Sequence, residues 1–189
     1  MTRPTARADV NPVNPVGAET ASNVMSALVA LTVDAARSGD VTTIEHALAA
    51  GVQVDATSPR GDSLLMLAAY HGHLTAVRLL LAQGADPDQL DARGQTPLAG
   101  VAFKGLTDVA EALVSGGASV DTASADGRTP LMMAAAFNRI EMVDWLLAEG
   151  ASPEARDANG LTALDVAHAM GAAGAVDTLT RPRRDVRLA

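Results

Sequence analysis

The chain has 189 residues, 48% of them apolar but only 2% aromatic, and it carries a net charge of −8 with a pI near 4.8. That length accommodates one domain or two small ones, and the mean hydropathy is too high for a disordered chain. The acidity argues against a nucleic-acid partner, whose phosphates are bound by clustered Lys and Arg; with no cysteine, disulfides, thiolate zinc sites, iron–sulfur clusters and a cysteine nucleophile are excluded.

Residues 1–23 carry Arg3, Arg7, Pro4, Pro12 and Pro15 without apolar periodicity and are expected to form a disordered leader. The apolar stretch 24–36 begins late and contains Asp34, which sets it apart from the apolar stretch of a signal peptide. No run reaches the roughly 18 apolar residues that span a bilayer, so no membrane is implied and the expected location is cytoplasmic.

From residue 24 onward the chain repeats. Gly61, Gly94, Gly127 and Gly160 are spaced by 33 residues, and so are Gly51, Gly84, Gly117 and Gly150. Asp55, Asp88 and Asp121 keep the same step, with Glu154 following. A fixed period of this length is the mark of a stacked repeat. The units run over approximately 25–57, 58–90, 91–123, 124–156 and 157–180, giving a repeat domain over 24–180 and a basic tail over 181–189 with Arg181, Arg183, Arg184 and Arg187.

Each unit reads as turn, helix, helix, turn. Thr96 is suited to cap a helix, because its hydroxyl can accept an orphan amide of the first turn. Pro97 then occupies the first helical position, where a missing N–H costs nothing. Thr129-Pro130 repeats the pair, while Ser63-Leu64 and Thr162-Ala163 keep only the cap. The first helix ends at Gly39, Gly72, Gly105 and Gly171, with Asn138 in that place in the fourth unit; Gly and then Asn best tolerate a left-handed backbone. A second helix follows, as over 75–81, and Gly84 closes it.

The stretches RGQTPLAGVAFKGLTDVAEALVSGGASVDTA and DGRTPLMMAAAFNRIEMVDWLLAEGASPEA resemble the ankyrin repeat nearly end to end. The resemblance implies an all-α ankyrin-repeat solenoid of stacked helix-turn-helix units with projecting β-turn fingers, and a protein-binding role without a cofactor. Three internal repeats lie between two degenerate end units, as expected where an end unit must face water on one side. The family usually has His fourth in its Thr-Pro-Leu-His motif. Here Met66, Ala99, Met132 and Asp165 stand there, so the polar network between units is expected to be absent or replaced by apolar contact.

Catalytic signatures are missing: there is no P-loop, Gly-x-Ser-x-Gly or His-Glu-x-x-His, and the chain is read as a non-enzyme. His71-Gly72-His73 could be imagined as a metal pair, but it straddles a helix-ending glycine where this family commonly carries Gly-His. Asp55, Asp88 and Asp121 recur structurally, and short Asp side chains accept turn amides. Trp145 and the methionines Met66, Met132 and Met133 are read as packing.

The remaining aromatics are more informative. Tyr70 and Phe103 hold one slot in consecutive units, and Phe137 lies one place later in the next. In the ankyrin family this end of the first helix lines the concave face beside the finger tips. Aromatic anchors are enriched at interface hot spots, although plugging the groove between units is the competing role. Between residues 20 and 180, eight basic residues face nineteen acidic ones, a net of −11. The finger tips nevertheless carry Arg60, Arg93 and Arg128 alternating with Asp62, Gln95 and Asp126.

The expected function is therefore binding of a partner protein, as adaptor, scaffold or inhibitor, by a monomer. The first-helix contacts are Tyr70, His71, Phe103, Lys104 and Phe137, and the finger contacts are Arg60, Asp62, Arg93, Gln95, Asp126 and Arg128. An exported or periplasmic effector is the alternative. The Ala-, Arg- and Asp-rich composition with a single lysine points to a GC-rich, bacterial genome.

Overall fold

The structure, a computed structural model, describes residues 16–182. Its ten helices form five successive pairs: α1 (Val16–Ser38) with α2 (Val41–Ala49), α3 (Leu64–His71) with α4 (Leu74–Ala82), α5 (Pro97–Lys104) with α6 (Thr107–Ser115), α7 (Pro130–Ala136) with α8 (Ile140–Ala148), and α9 (Ala163–Met170) with α10 (Ala173–Thr180). First helices stack on first helices, α1 on α3, α3 on α5, α5 on α7 and α7 on α9, while α2, α4, α6, α8 and α10 make a second row. The only bridge between extended residues in the described part is the isolated pair Thr57–Ser63, so the solenoid is all-α, with turns rather than a sheet.

The caps are those the turn chemistry predicts. Ser63, Thr96 and Thr129 accept the amides of Met66, Ala99 and Met132 through their hydroxyls at 3.0, 3.1 and 3.3 Å. Pro97 and Pro130 open their helices. In the last unit Thr162 and Asp165 form a reciprocal capping box, and the Thr162 backbone and hydroxyl hydrogen bonds hold the Asp165 carboxyl below its ordinary pKa.

The first helices of the internal units are apolar all round, because each is packed on both sides. Residues 64–69, 97–102 and 130–135 are buried without interruption. Met66, Ala99 and Met132 lie within those runs, so apolar packing holds the slot the family gives to His in the three internal units, while Asp165 fills it in the last. Trp145 is half-buried against the same core.

Close approach of successive fingers explains one glycine ladder. Gly94 has φ +71°, and a Cβ there would strike the Ala125 side chain. Its carbonyl accepts the Ala125 amide at 2.7 Å. The repeated aspartates work between units rather than within a turn. Asp55, Asp88 and Asp121 accept the backbone N–H of Asp86, Ser119 and Ser152, each 31 residues ahead.

One boundary is corrected. Helix α1 begins at Val16, so residues 16–23 are helical where a leader was expected to run to 23. Pro15 is the last proline of the segment, and Ala18, Glu19 and Ala21 are helix-compatible, so nothing stops the helix from extending ahead of the apolar stripe Val29, Val33 and Ala36 that joins the core. Its early turns expose Val24 and Met25. Residues 1–15 of the expected leader and 183–189 of the expected tail lie outside the described residues. Among the described residues, no helix is long and apolar enough to cross a membrane.

Candidate functional site

The ends of α3, α5 and α7 bring the three aromatics into one row. Tyr70 and Phe103 lie parallel with centroids 6.4 Å apart, and Phe103 meets Phe137 edge to face at 4.4 Å. Both geometries are favourable for aromatic quadrupoles. Tyr70 and Phe103 are half-buried and Phe137 is exposed. The Lys104 ammonium lies 4.4 Å from the Tyr70 ring centroid, a cation–π contact, and the His71 ring meets Tyr70 edge-on at 5.6 Å.

The finger tips are built on buried polar residues that sequence reasoning missed. Asp91 lies under its turn, accepting the amides of Arg93 and Gln95 at 2.8 and 2.9 Å. Its other oxygen takes two guanidinium hydrogen bonds from Arg93 at 3.0 and 2.9 Å, which raise the Arg93 pKa. Asp157 accepts the amides of Asn159 and Leu161 in the same way; the Leu161 amide is the foremost cause of its lowered pKa, with Arg128 contributing. Ser58 plays this part in its own finger, its hydroxyl accepting from the amides of Arg60 and Asp62. Ser58, Asp91, Ser124 and Asp157 stand 33 residues apart, which is the signal that could have found them.

Several expected finger contacts are therefore engaged within the stack. Arg93 is fixed by Asp91 and approaches Asp62 of the preceding finger at 4.0 Å. Arg128 lies 3.4 Å from Asp126 and 3.9 Å from Asp157, and the Asp126 carbonyl accepts the Ala158 amide. Arg60 is exposed and has no carboxylate partner among the described residues.

Arg60, Asp62, Tyr70, His71 and Arg93 come together around one recess of about 210 Å³, joined by Arg37, Met66 and Leu67. Phe103, Lys104 and Phe137 continue the surface beside it, whereas Gln95, Asp126 and Arg128 lie outside its lining. Arg37 was missed, although it lies 33 residues before Tyr70 in the slot of the aromatic row. Partial burial first, and then the charges of Lys104, His73 and Arg37, push the His71 pKa down. The His71 and His73 rings are stacked 6.2 Å apart rather than converging on a point, and the His73 Nε2 lies 2.9 Å from the Arg37 carbonyl.

That last contact belongs to a second missed set. In two units the residue that opens the second helix reaches back to the preceding unit: His73 to the Arg37 carbonyl, and Arg139 donating through Nε to the Phe103 carbonyl at 2.9 Å. Another recess, of about 500 Å³, lies between α1 and residues 57–59 and is lined by small and apolar side chains without a titratable group.

Residues 33–124 and 100–188 match the family described as ankyrin repeats, in three copies. No curated protein matches the chain.

Proposed function

The chain belongs to the ankyrin-repeat family, whose repeats are generally protein-binding, non-catalytic modules, and we propose that it binds a partner protein through its first-helix ends and finger tips, as a monomeric cytoplasmic adaptor, scaffold or inhibitor. The observation that carries this reading is the aromatic row. Tyr70, Phe103 and Phe137 touch one another across three units and keep part of their surface in solvent. Aromatic rings supply large contact area at low entropic cost. Their setting is rigid, since Tyr70 and Phe103 ride on α3 and α5 and Phe137 caps α7, helices each packed between neighbours, so little ordering entropy is lost on binding.

Phe103→Ala tests the proposal, with affinity for a partner captured from the source cells and thermal stability measured on the same variant. Affinity is expected to fall by roughly 2 kcal/mol or more, as at a hot spot. Stability is expected to fall by clearly less than the roughly 3–5 kcal/mol of a fully buried aromatic. A large stability loss with unchanged affinity would make the ring a plug between units and turn attention to the fingers.

A further inference from the structure

The recess beside the aromatic row is basic on a protein whose net charge is −8, and we propose that it receives an acidic, extended peptide segment of the partner, with a carboxylate seated between Arg37 and Arg60 and an adjoining apolar side chain on Tyr70 and Phe103. This rests on the concave-face reading above and names the chemistry of what that face takes.

Three guanidinium groups converge there from separate parts of the chain: Arg37 from α1, Arg60 from one finger and Arg93 from the next. The one carboxylate in the lining, Asp62, accepts the Ser58 hydroxyl at 3.1 Å and is only 16% exposed, so it is committed to its own finger. Arg93 is already neutralised by Asp91. Arg60 has no carboxylate among the described residues, and Arg37 has only Asp34, a pair in which the acid is 74% exposed. An exposed pair of that kind is weak and is readily exchanged for another carboxylate. Lys104 adds a further cation over Tyr70.

The positive character is local. The His71 pKa is lowered first by burial and then by the neighbouring charges of Lys104, His73 and Arg37. The exposed acids of the second-helix row, such as Glu45, Asp108, Glu111, Asp144 and Asp177, do not line the recess. The volume of about 210 Å³ is below the roughly 300–1,000 Å³ of small-molecule sites and suits a side chain rather than a free ligand. Arginine forks match carboxylates geometrically, and the apolar floor of Met66 and Leu67 leads directly to the aromatic row.

The test is selection of a phage-displayed library of random peptides against the full-length chain, followed by affinity measurement of the enriched peptides on variants. The expected peptides carry Asp or Glu beside an aromatic or aliphatic residue. Arg37→Glu with Arg60→Glu is expected to weaken them roughly tenfold or more, the loss of at least one charge-assisted contact, with Arg60→Lys restoring part of it. Exposed side chains carry both changes, and thermal melts of the variants confirm that the stack is intact. Enriched peptides that are neutral or basic and lose affinity with Phe103→Ala overturn the acidic assignment and leave the concave-face reading standing. Peptides indifferent to both sets of variants, or no enrichment at all, overturn both.

Discussion

The Asn138 side-chain oxygen accepts the backbone N–H of Ala175 at 2.8 Å, joining the end of the fourth unit's first helix to the second helix of the fifth. Asn138 also has φ +54°, the only left-handed non-glycine residue in the described chain. One residue thus stops a helix and binds the next unit. Asn138→Gly keeps the backbone free and removes the tie, so it is expected to cost about 0.5–1.5 kcal/mol. Asn138→Ala removes the tie and strains the backbone, and the total is expected at about 1–3 kcal/mol. Urea unfolding separates the two, and faster exchange of the Ala175 amide is expected in both; equal stabilities would remove the backbone contribution.

A comparison of two glycines isolates finger-on-finger packing. Gly94 and Gly160 have φ +71° and +78°, but a Cβ meets Ala125 at Gly94 and nothing within 4 Å at Gly160. Gly160→Ala is expected to lose about 1–2 kcal/mol from the left-handed conformation alone. Gly94→Ala adds the displacement of Ala125 and its 2.7 Å hydrogen bond, about 1–3 kcal/mol more. Chemical denaturation of both variants measures the difference, and equal losses would mean that the fingers do not support one another.

The contrast shows what the sequence makes legible. The glycine ladders mark turns through their left-handed backbones, and the Thr96-Pro97 and Thr129-Pro130 pairs mark helix starts; these are local signals, so they placed the helices and the aromatic row. The Asp91 and Asp157 supports escaped notice because Ser58 and Ser124 alternate with them, and the same slot is filled by two chemistries. The His73 and Arg139 latches were hidden further. They reach partners 36 residues away, and Leu106 stands in the same slot between them. Helix α1 ran past its expected start because no further proline follows Pro15 in the leader, and a leader's composition does not forbid helix.

Acid should weaken the fold in two separate stages. The His71 pKa is lowered in the folded chain, so the unfolded chain binds the proton more readily. Stability therefore falls as pH drops through the ordinary histidine value of about 6.5. The carboxyls of Asp157 and Asp165 are lowered by backbone and hydroxyl donors. Their contribution is present above the ordinary aspartate value of about 3.9 and disappears as pH falls through the lowered folded values. Thermal melts across pH should show both stages, with His71→Gln flattening the upper one and Asp157→Asn or Asp165→Asn reducing the lower. An upper stage unchanged by His71→Gln would assign it to another histidine.

The inter-unit aspartates predict how the stack shares its stability. Asp55, Asp88 and Asp121 each hold an amide of the following unit at 2.9, 3.2 and 3.0 Å. Glu154 occupies the equivalent slot at the end of the series, is exposed, and makes no such bond among the described residues. Replacing any one of the three aspartates by Ala is expected to cost about 1 kcal/mol, the net worth of such a hydrogen bond in a partly solvated setting. Glu154→Ala is expected to stay within about 0.5 kcal/mol of the parent. In a solenoid each unit meets only its neighbours, and the Asp55 and Asp121 ties share no residue. The double variant Asp55→Ala with Asp121→Ala should therefore equal the two single losses within about 0.5 kcal/mol. Urea titrations of the four variants and the double provide the measurement. A neutral Asp88→Ala beside a costly Glu154→Ala would show that charge relief, not the amide tie, governs this slot.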